Sequence, residues 1–301
     1  MNTPAGLPAA PNVTDTALIW EGGGMRAAYS SGALVTMLAH GIRFGWVGGI
    51  SAGSSCTCNY VAQDADRARR SFVDLAADPR FGDLRTFVSG KGFFHAEYIY
   101  EGTGHPGQAL PFPYERFMAN EARVRIGAVK ASTGETVYWG KDDLGGLDGL
   151  MKRVRASSTM PILMPMPEID SERYVDGALG TSGGIALDIA QEDGFSKFFV
   201  VLTRPAGYRK RPERHPGLYR KALRGFPLVV DALLQRYKRY NETLDQLEEL
   251  ERQGRAYLFR PVDLRITNSE KRLDRLDHAF QAGRIQAAGE VGRWKDFLGL
   301  A

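Results

Sequence analysis

Trp46-Val47-Gly48-Gly49-Ile50-Ser51-Ala52-Gly53 is a short apolar run that closes on G-x-S-x-G. The run predicts a buried strand, and Ala52 to Ala62 after it predicts a helix. A serine on the sharp turn between them is a nucleophile elbow, presented at the end of a sheet. Small neighbours are required there, because a side chain at Gly49 or Gly53 would collide with adjacent backbone. In a chain holding 35 glycines the pattern alone has little weight, so its surroundings decide the reading.

Upstream, Ala17-Leu18-Ile19-Trp20 is a compact apolar strand, followed by Glu21 and the triple turn Gly22-Gly23-Gly24, then Met25-Arg26. Met25 to His40 reads as a helix. A glycine turn at a helix start exposes backbone N–H groups that no side chain screens. Helped by the positive end of the helix dipole, such donors suit an oxyanion. A ligand-free strand–helix turn is the plainer alternative. Gly22-x-Gly24-x-x-Ala27 also satisfies a loose dinucleotide fingerprint, which expects an acid about 20 residues later to hold a ribose. Between Arg26 and Gln63 there is no Asp or Glu, so that reading fails. A P-loop fails as well, since no Gly-Lys-Ser/Thr follows.

A serine needs a base. His40, His95, His105, His215 and His278 are the five histidines, and none has a distinctive setting. Asp176 does: Arg173-Tyr174-Val175 leads as a strand into Asp176-Gly177-Ala178, which puts a carboxylate at a strand end beside a residue that permits a tight turn. Capping a turn is the structural alternative for this aspartate. A carboxylate touching the serine directly can act as the base without an intervening imidazole.

The order of patterns along the 301 residues is strand, helix, strand, helix, a long insertion, then strands and helices again. Further strands are expected over 124–129, 136–138, 198–202 and 256–259, and no internal repeat is evident. That alternation predicts an α/β fold with a mainly parallel central sheet flanked by helices. A hydrophobic content of 43% suffices for one large core. Residues 1–15, rich in Ala and Pro, are expected to be a disordered leader rather than a signal peptide, with one large domain, or a domain with elaborations, over 16–301. No apolar run approaches the ~20 residues that span a bilayer. Cys56 and Cys58 are too few and too close for a disulfide framework or a zinc site, and a reducing cytoplasm is the expected setting.

The net charge of +4 conceals an asymmetry. Residues 204–224 hold eight cations against the single acid Glu213, a net +7, which leaves −3 for the rest. Such a stretch suits contact with an anionic membrane, and a solvated loop is its plain alternative. Nucleic acid is not expected, because aromatic interleaving is sparse and no reader motif is present. Val229 to Gln253 predicts one long helix whose stripe Val230, Leu233, Leu234, Tyr237, Leu244, Leu247 and Leu250 belongs to a core or a packed lid.

Taken together, Gly22-Gly23-Gly24-Met25-Arg26, Gly49-Ile50-Ser51-Ala52-Gly53 and Asp176-Gly177-Ala178 resemble the patatin-like phospholipase family in order and approximate spacing. Ala156-Ser157-Ser158-Thr159-Met160-Pro161 is similar to the family segment before the aspartate, and residues 199–209 and 240–244 resemble the intracellular bacterial branch. The resemblance covers roughly residues 16 to 295 and implies a patatin-like three-layer fold and a serine lipid acyl hydrolase with a Ser–Asp dyad. Carried over by position, Ser51 is the nucleophile and Asp176 the general base. The amides of Gly22, Gly23, Gly24 and Met25 form the oxyanion hole, with Ala52 N–H assisting. Arg26, Gly49, Gly53 and Gly177 support the motifs. The implied substrate is an acyl lipid or ester, with neither metal nor cofactor. The chain departs from the family loop at Ala27, where the family usually has Gly. Two alternatives remain open at this point. One is a Ser-His-Asp hydrolase of the α/β-hydrolase type using His215 or His278, and the other a non-catalytic lipid-binding protein on the same fold. The 79–120 insertion, rich in Gly, Phe and Tyr, is expected to shape the substrate mouth together with the basic stretch.

Overall fold

The computed structural model describes residues 7–83, 86 and 88–301. Residues 1–6 of the expected leader, and 84, 85 and 87 of the insertion, lie outside the described residues.

Strands β1 (Ala17–Trp20), β2 (Trp46–Ile50), β3 (Arg123–Lys130), β4 (Thr136–Trp139), β5 (Glu168–Ile169), β6 (Glu172–Asp176), β7 (Phe198–Val201) and β8 (Ala256–Phe259) form one sheet. Their order is β5-β6-β3-β2-β1-β7-β8, with β4 also on β3. β3, β2, β1, β7 and β8 are mutually parallel, whereas β4, β5 and β6 join by antiparallel pairing. Helices α1 (Ala27–Ala39), α2 (Ala52–Val61), α3 (Ala65–Phe72), α4 (Tyr114–Ala119) and α5 (Leu147–Ser158) come from the first half. α6 (Leu187–Glu192), α7 (Pro216–Ala222), α8 (Pro227–Arg252) and α9 (Leu273–Leu298) come from the second.

The central strands are apolar throughout because both sheet faces are covered. Successive side chains point to opposite faces, and the packing follows that alternation. Leu18, Trp20, Phe199 and Val201 join a core with α1, α2, α5 and α9, whereas Ala17, Ile19, Phe198 and Val200 join one with α6 and α8. The result is helix, sheet, helix in three layers. Most of the stripe expected on the long helix is core: Val230, Leu244, Leu247 and Leu250 of α8 are buried and Leu233 and Leu234 pack against the core, whereas Tyr237 is half-buried outside it.

α1 and α9 cross closely enough that backbone meets backbone. A Cβ on Gly32 would stand 2.3 Å from the Phe280 carbonyl oxygen, and one on Gly283 would stand 2.1 Å from that of Tyr29. From Ala9 to Val13 the stretch expected to be disordered is held in place. Ala9 N–H donates to Gln63 Oε1, Asn12 N–H donates to the Arg43 carbonyl at 2.8 Å, and buried Val13 bridges to Phe44. Backbone donors find partners there that composition does not reveal.

β3 has two edges, and its three partners divide them. β4 pairs with Ile126 to Val129; β2 pairs up to Gly127 and β6 from Ala128 onward. Because β4 shares residues with both others, β2 and β6 must lie end to end on the opposite edge, pointing at each other. Ile50 stands opposite Gly127 and Asp176 opposite Ala128. The ends of the two strands therefore meet.

Candidate active site

That meeting point holds Ser51 and Asp176. Ser51 follows β2 and caps α2 with φ +58° and ψ −129°, a region that side chains rarely occupy and that costs on the order of 1–3 kcal/mol. Its neighbours explain how the turn persists. A Cβ on Gly53 would lie 2.1 Å from the Trp20 carbonyl oxygen, and one on Gly49 would lie 2.2 Å from that of Gly53. The Ser51 amide donates to Ser157 Oγ at 2.9 Å, and Ser157 Oγ–H donates to the Gly127 carbonyl at 2.6 Å. Ser157 thus bolts the elbow to β3. The signal for this residue was the segment 156–161, whose individual roles sequence does not reveal.

Ser51 Oγ–H donates to Asp176 Oδ2 at 2.8 Å. Asp176 Oδ1 accepts the Ala178 N–H at 2.9 Å, which fixes the carboxylate and leaves Oδ2 to the serine. Gly177 allows the turn: a Cβ there would lie 2.3 Å from the Gly127 carbonyl oxygen. Burial pushes the Asp176 carboxyl above the ordinary carboxylate range, against the opposing pull of Arg236 and its two hydrogen bonds. Asp176 ends a strand antiparallel to β3, not one of the parallel set; it reaches the sheet rim because β6 runs in beyond the end of β2.

The glycine turn lies beside this pair. A Cβ on Gly22 would sit 3.0 Å from Ser51 Cβ. The loop is anchored from behind by buried Glu21, whose carboxylate accepts the Thr203 N–H, the Thr203 hydroxyl and the Tyr240 hydroxyl. It is anchored in front by Asn268, whose carbonyl accepts the Met25 N–H at 3.0 Å. Gly24, at φ +55°, passes so close to that carbonyl that a Cβ would meet it at 2.3 Å. Two of the expected oxyanion donors are therefore committed elsewhere: Gly22 N–H goes to the Gly184 carbonyl, and Met25 N–H to Asn268. Gly23, Gly24 and Ala52 keep N–H groups without an acceptor among the described residues. Ala27 has φ −66°, a conformation open to any residue, so the backbone there does not require the family's Gly.

Ser51 and Asp176 open onto a cavity of about 200 Å³. Phe72, Leu75, Phe94, Leu110, Val154 and Met164 form its apolar wall. Phe81, Phe94, Ile99, Tyr100 and Leu110, all of the 79–120 insertion, line it, as do Arg204 and Lys210 of the basic stretch. No histidine lines it among the described residues. His215 and His278 are exposed, which removes the arrangement a Ser-His-Asp hydrolase needs. Cys56 and Cys58 are free and buried; burial pushes the Cys58 thiol up to about 12. Among the described residues no cluster of His, Cys, Asp or Glu is set to hold a metal, and no helix is long and apolar enough to cross a membrane.

Compared with known families, residues 18–189, more than half of the chain, match the model described as patatin-like phospholipase. The chain belongs to the patatin-like phospholipase family. Membership supports lipid acyl hydrolysis, with lipids or esters as the substrate class. Residues 226–299 match a second model, a domain of unknown function (DUF6363). This second region supplies Tyr240 and Asn268 to the glycine turn and Arg236 to the cavity, so both matched regions build one site. Comparison with curated proteins finds no match. Among solved structures, VipD from Legionella pneumophila is similar over 93% of this chain and 67% of its own, at 12% identity and a TM-score of 0.49.

Proposed function

We propose that this member of the patatin-like phospholipase family hydrolyses acyl esters with Ser51 as nucleophile and Asp176 as its base. The observation that carries the reading is the 2.8 Å hydrogen bond from Ser51 Oγ to Asp176 Oδ2 at an apolar cavity. Asp176 takes the Ser51 proton while Oγ attacks the ester carbonyl carbon and the carbonyl π electrons move onto oxygen. Gly23 and Gly24 N–H, with Ala52 N–H at the start of α2, stabilise that oxyanion. Collapse breaks the bond to the alcohol, which leaves with the proton held by Asp176. Water then gives a proton to Asp176 and attacks the acyl-serine; Oγ departs, recovers the proton, and a free carboxylic acid is released. Every proton passes through one carboxyl, so no cofactor enters the sequence.

Fluorophosphonate labelling mapped by mass spectrometry tests the pair. The label is expected on Ser51 in the wild type and lost in Asp176→Asn; undiminished labelling of Asp176→Asn overturns the dyad. Residues 16–301 act as one catalytic unit in this reading, since the second matched region holds the glycine turn. Peripheral contact with an anionic membrane runs through Arg211, Arg214, Arg220, Lys221 and Arg224, which are exposed, with Leu218 63% exposed among them. Each such cation contributes roughly 1 kcal/mol at a charged bilayer. Sedimentation with phosphatidylserine vesicles is therefore expected to weaken in Arg220→Glu/Lys221→Glu/Arg224→Glu, and equal sedimentation excludes this face.

A further inference from the structure

Five cations line the cavity that holds Ser51. Buried Arg67 of α3 stands apart and gives its guanidinium to Asn59 Oδ1, whereas Arg26, Arg204, Lys210 and Arg236 gather close enough for the other three to act on the lysine. Arg26 comes from the glycine turn, Arg204 and Lys210 from the segment after β7, and Arg236 from α8. All four are partly buried, and none forms an ion pair among the described residues. The nearby Arg209 differs, being held by Asp245 and Glu248 of α8.

The carboxylates in reach of the four are held by neutral donors and offset only part of the cationic charge. Glu21 accepts from Thr203 and Tyr240, Asp176 from Ser51 and Ala178, and exposed Glu213 from the Tyr219 hydroxyl. Arg26 also keeps a buried Nε with no hydrogen-bond partner. Burial, and after it the charges of Arg236, Arg26 and Arg204, push the Lys210 ammonium down to about 8. Burial and then Arg204 push Arg26 down to about 10. Like charges gathered in a partly desolvated place are costly until an anion joins them.

Resting on the hydrolase reading above, we infer that this quartet receives a terminal phosphate carried by the acyl ester, so that the site selects phosphomonoester lipids over zwitterionic or uncharged ones. A guanidinium matches phosphate oxygens two at a time, and a lysine ammonium adds a point charge. A quaternary ammonium head group finds the opposite of what it needs. No uncommitted carboxylate faces the cluster, and the Tyr208 ring that would serve as a cation face is covered by Arg204 at 4.4 Å. The apolar wall takes the acyl chain, and the cationic side of the same cavity takes the phosphate.

Three esters sharing one decanoyl chain test this: decanoylglycerol 3-phosphate, decanoylglycerol and decanoylglycerophosphocholine. The wild type is expected to show kcat/KM about ten-fold or more higher for the phosphomonoester, from one or two charge-assisted hydrogen bonds. In Arg204→Gln and Lys210→Gln that ratio is expected to fall about ten-fold, chiefly through KM for the phosphomonoester. Equal use of the three esters by the wild type, or an unchanged ratio in both variants, overturns the assignment. Inorganic phosphate competing as strongly as decyl phosphate overturns the lipid source and leaves a free-anion site. Calorimetric titration of Ser51→Ala with decyl phosphate and with decanol separates this from the chemistry. If no ester is cleaved, the hydrolase reading fails, yet tighter binding of decyl phosphate that is lost with Lys210→Gln still supports the phosphate site. Equal binding of the two ligands overturns it.

Discussion

Asp176 meets two conflicting demands. To accept a proton it must be ionised, yet its burial favours the neutral acid and raises its pKa above the ordinary value near 3.9. Turnover is therefore expected to rise with pH along one limb lying above the usual carboxylate range, as measured by kcat–pH profiles in a non-titrating buffer background. Stability runs the other way. A raised folded pKa means the folded state binds the extra proton, so stability is full below the ordinary value and falls as pH rises through the raised one. Asp176→Asn, which does not titrate, is expected to melt higher than the wild type at neutral pH. The gain should shrink towards zero in acid; an Asn variant that melts lower at every pH would contradict it. The elbow at Ser51 and the strand-end turn at Asp176 were legible in sequence because short-range rules confine a strained elbow and a tight turn to a few residue types. Which amides of the glycine turn stay free was only half legible. Gly22 and Met25 are spent on carbonyls of Gly184 and Asn268, partners more than a hundred residues away that no local pattern encodes.

At the scale of elements, the parallel strands announced themselves as apolar runs, and β1, β2, β7 and β8 fall where those runs do. β6 was legible as a strand but not in its direction, since antiparallel pairing to β3 is a long-range choice. The pairing of α1 with α9 was equally hidden, because Gly32 and Gly283 look like ordinary helix-weakening glycines until the two helices are brought together. Each is there because a methyl group would strike backbone, which cannot rotate away. Gly283→Ala is expected to destabilise by about 1–3 kcal/mol despite the better helix propensity of alanine. Gly289→Ala on the same helix, with nothing near its would-be Cβ, is expected to be neutral or slightly stabilising by thermal melting. Equal effects at the two positions would remove the close-crossing explanation.

Across the whole molecule, the two matched family regions pack around one candidate site. The first carries the serine, the aspartate and the glycine turn; the second carries Tyr240, Asn268 and Arg236, which brace or face them. A chain ended after residue 225 is expected to lose fluorophosphonate labelling of Ser51, even if the remaining protein stays monomeric in gel filtration. Retained labelling would show that the glycine turn stands without its braces. One consequence of the sheet concerns what can be exchanged. Ser51 and Asp176 are 125 positions apart in the chain, but their gap is set by a single step along β3, from Gly127 to Ala128. The intervening segments that wall the cavity are thus uncoupled from the spacing of the reactive pair. Lengthening, shortening or grafting within 79–120 is therefore expected to change what enters the cavity while the spacing of Ser51 and Asp176 is kept.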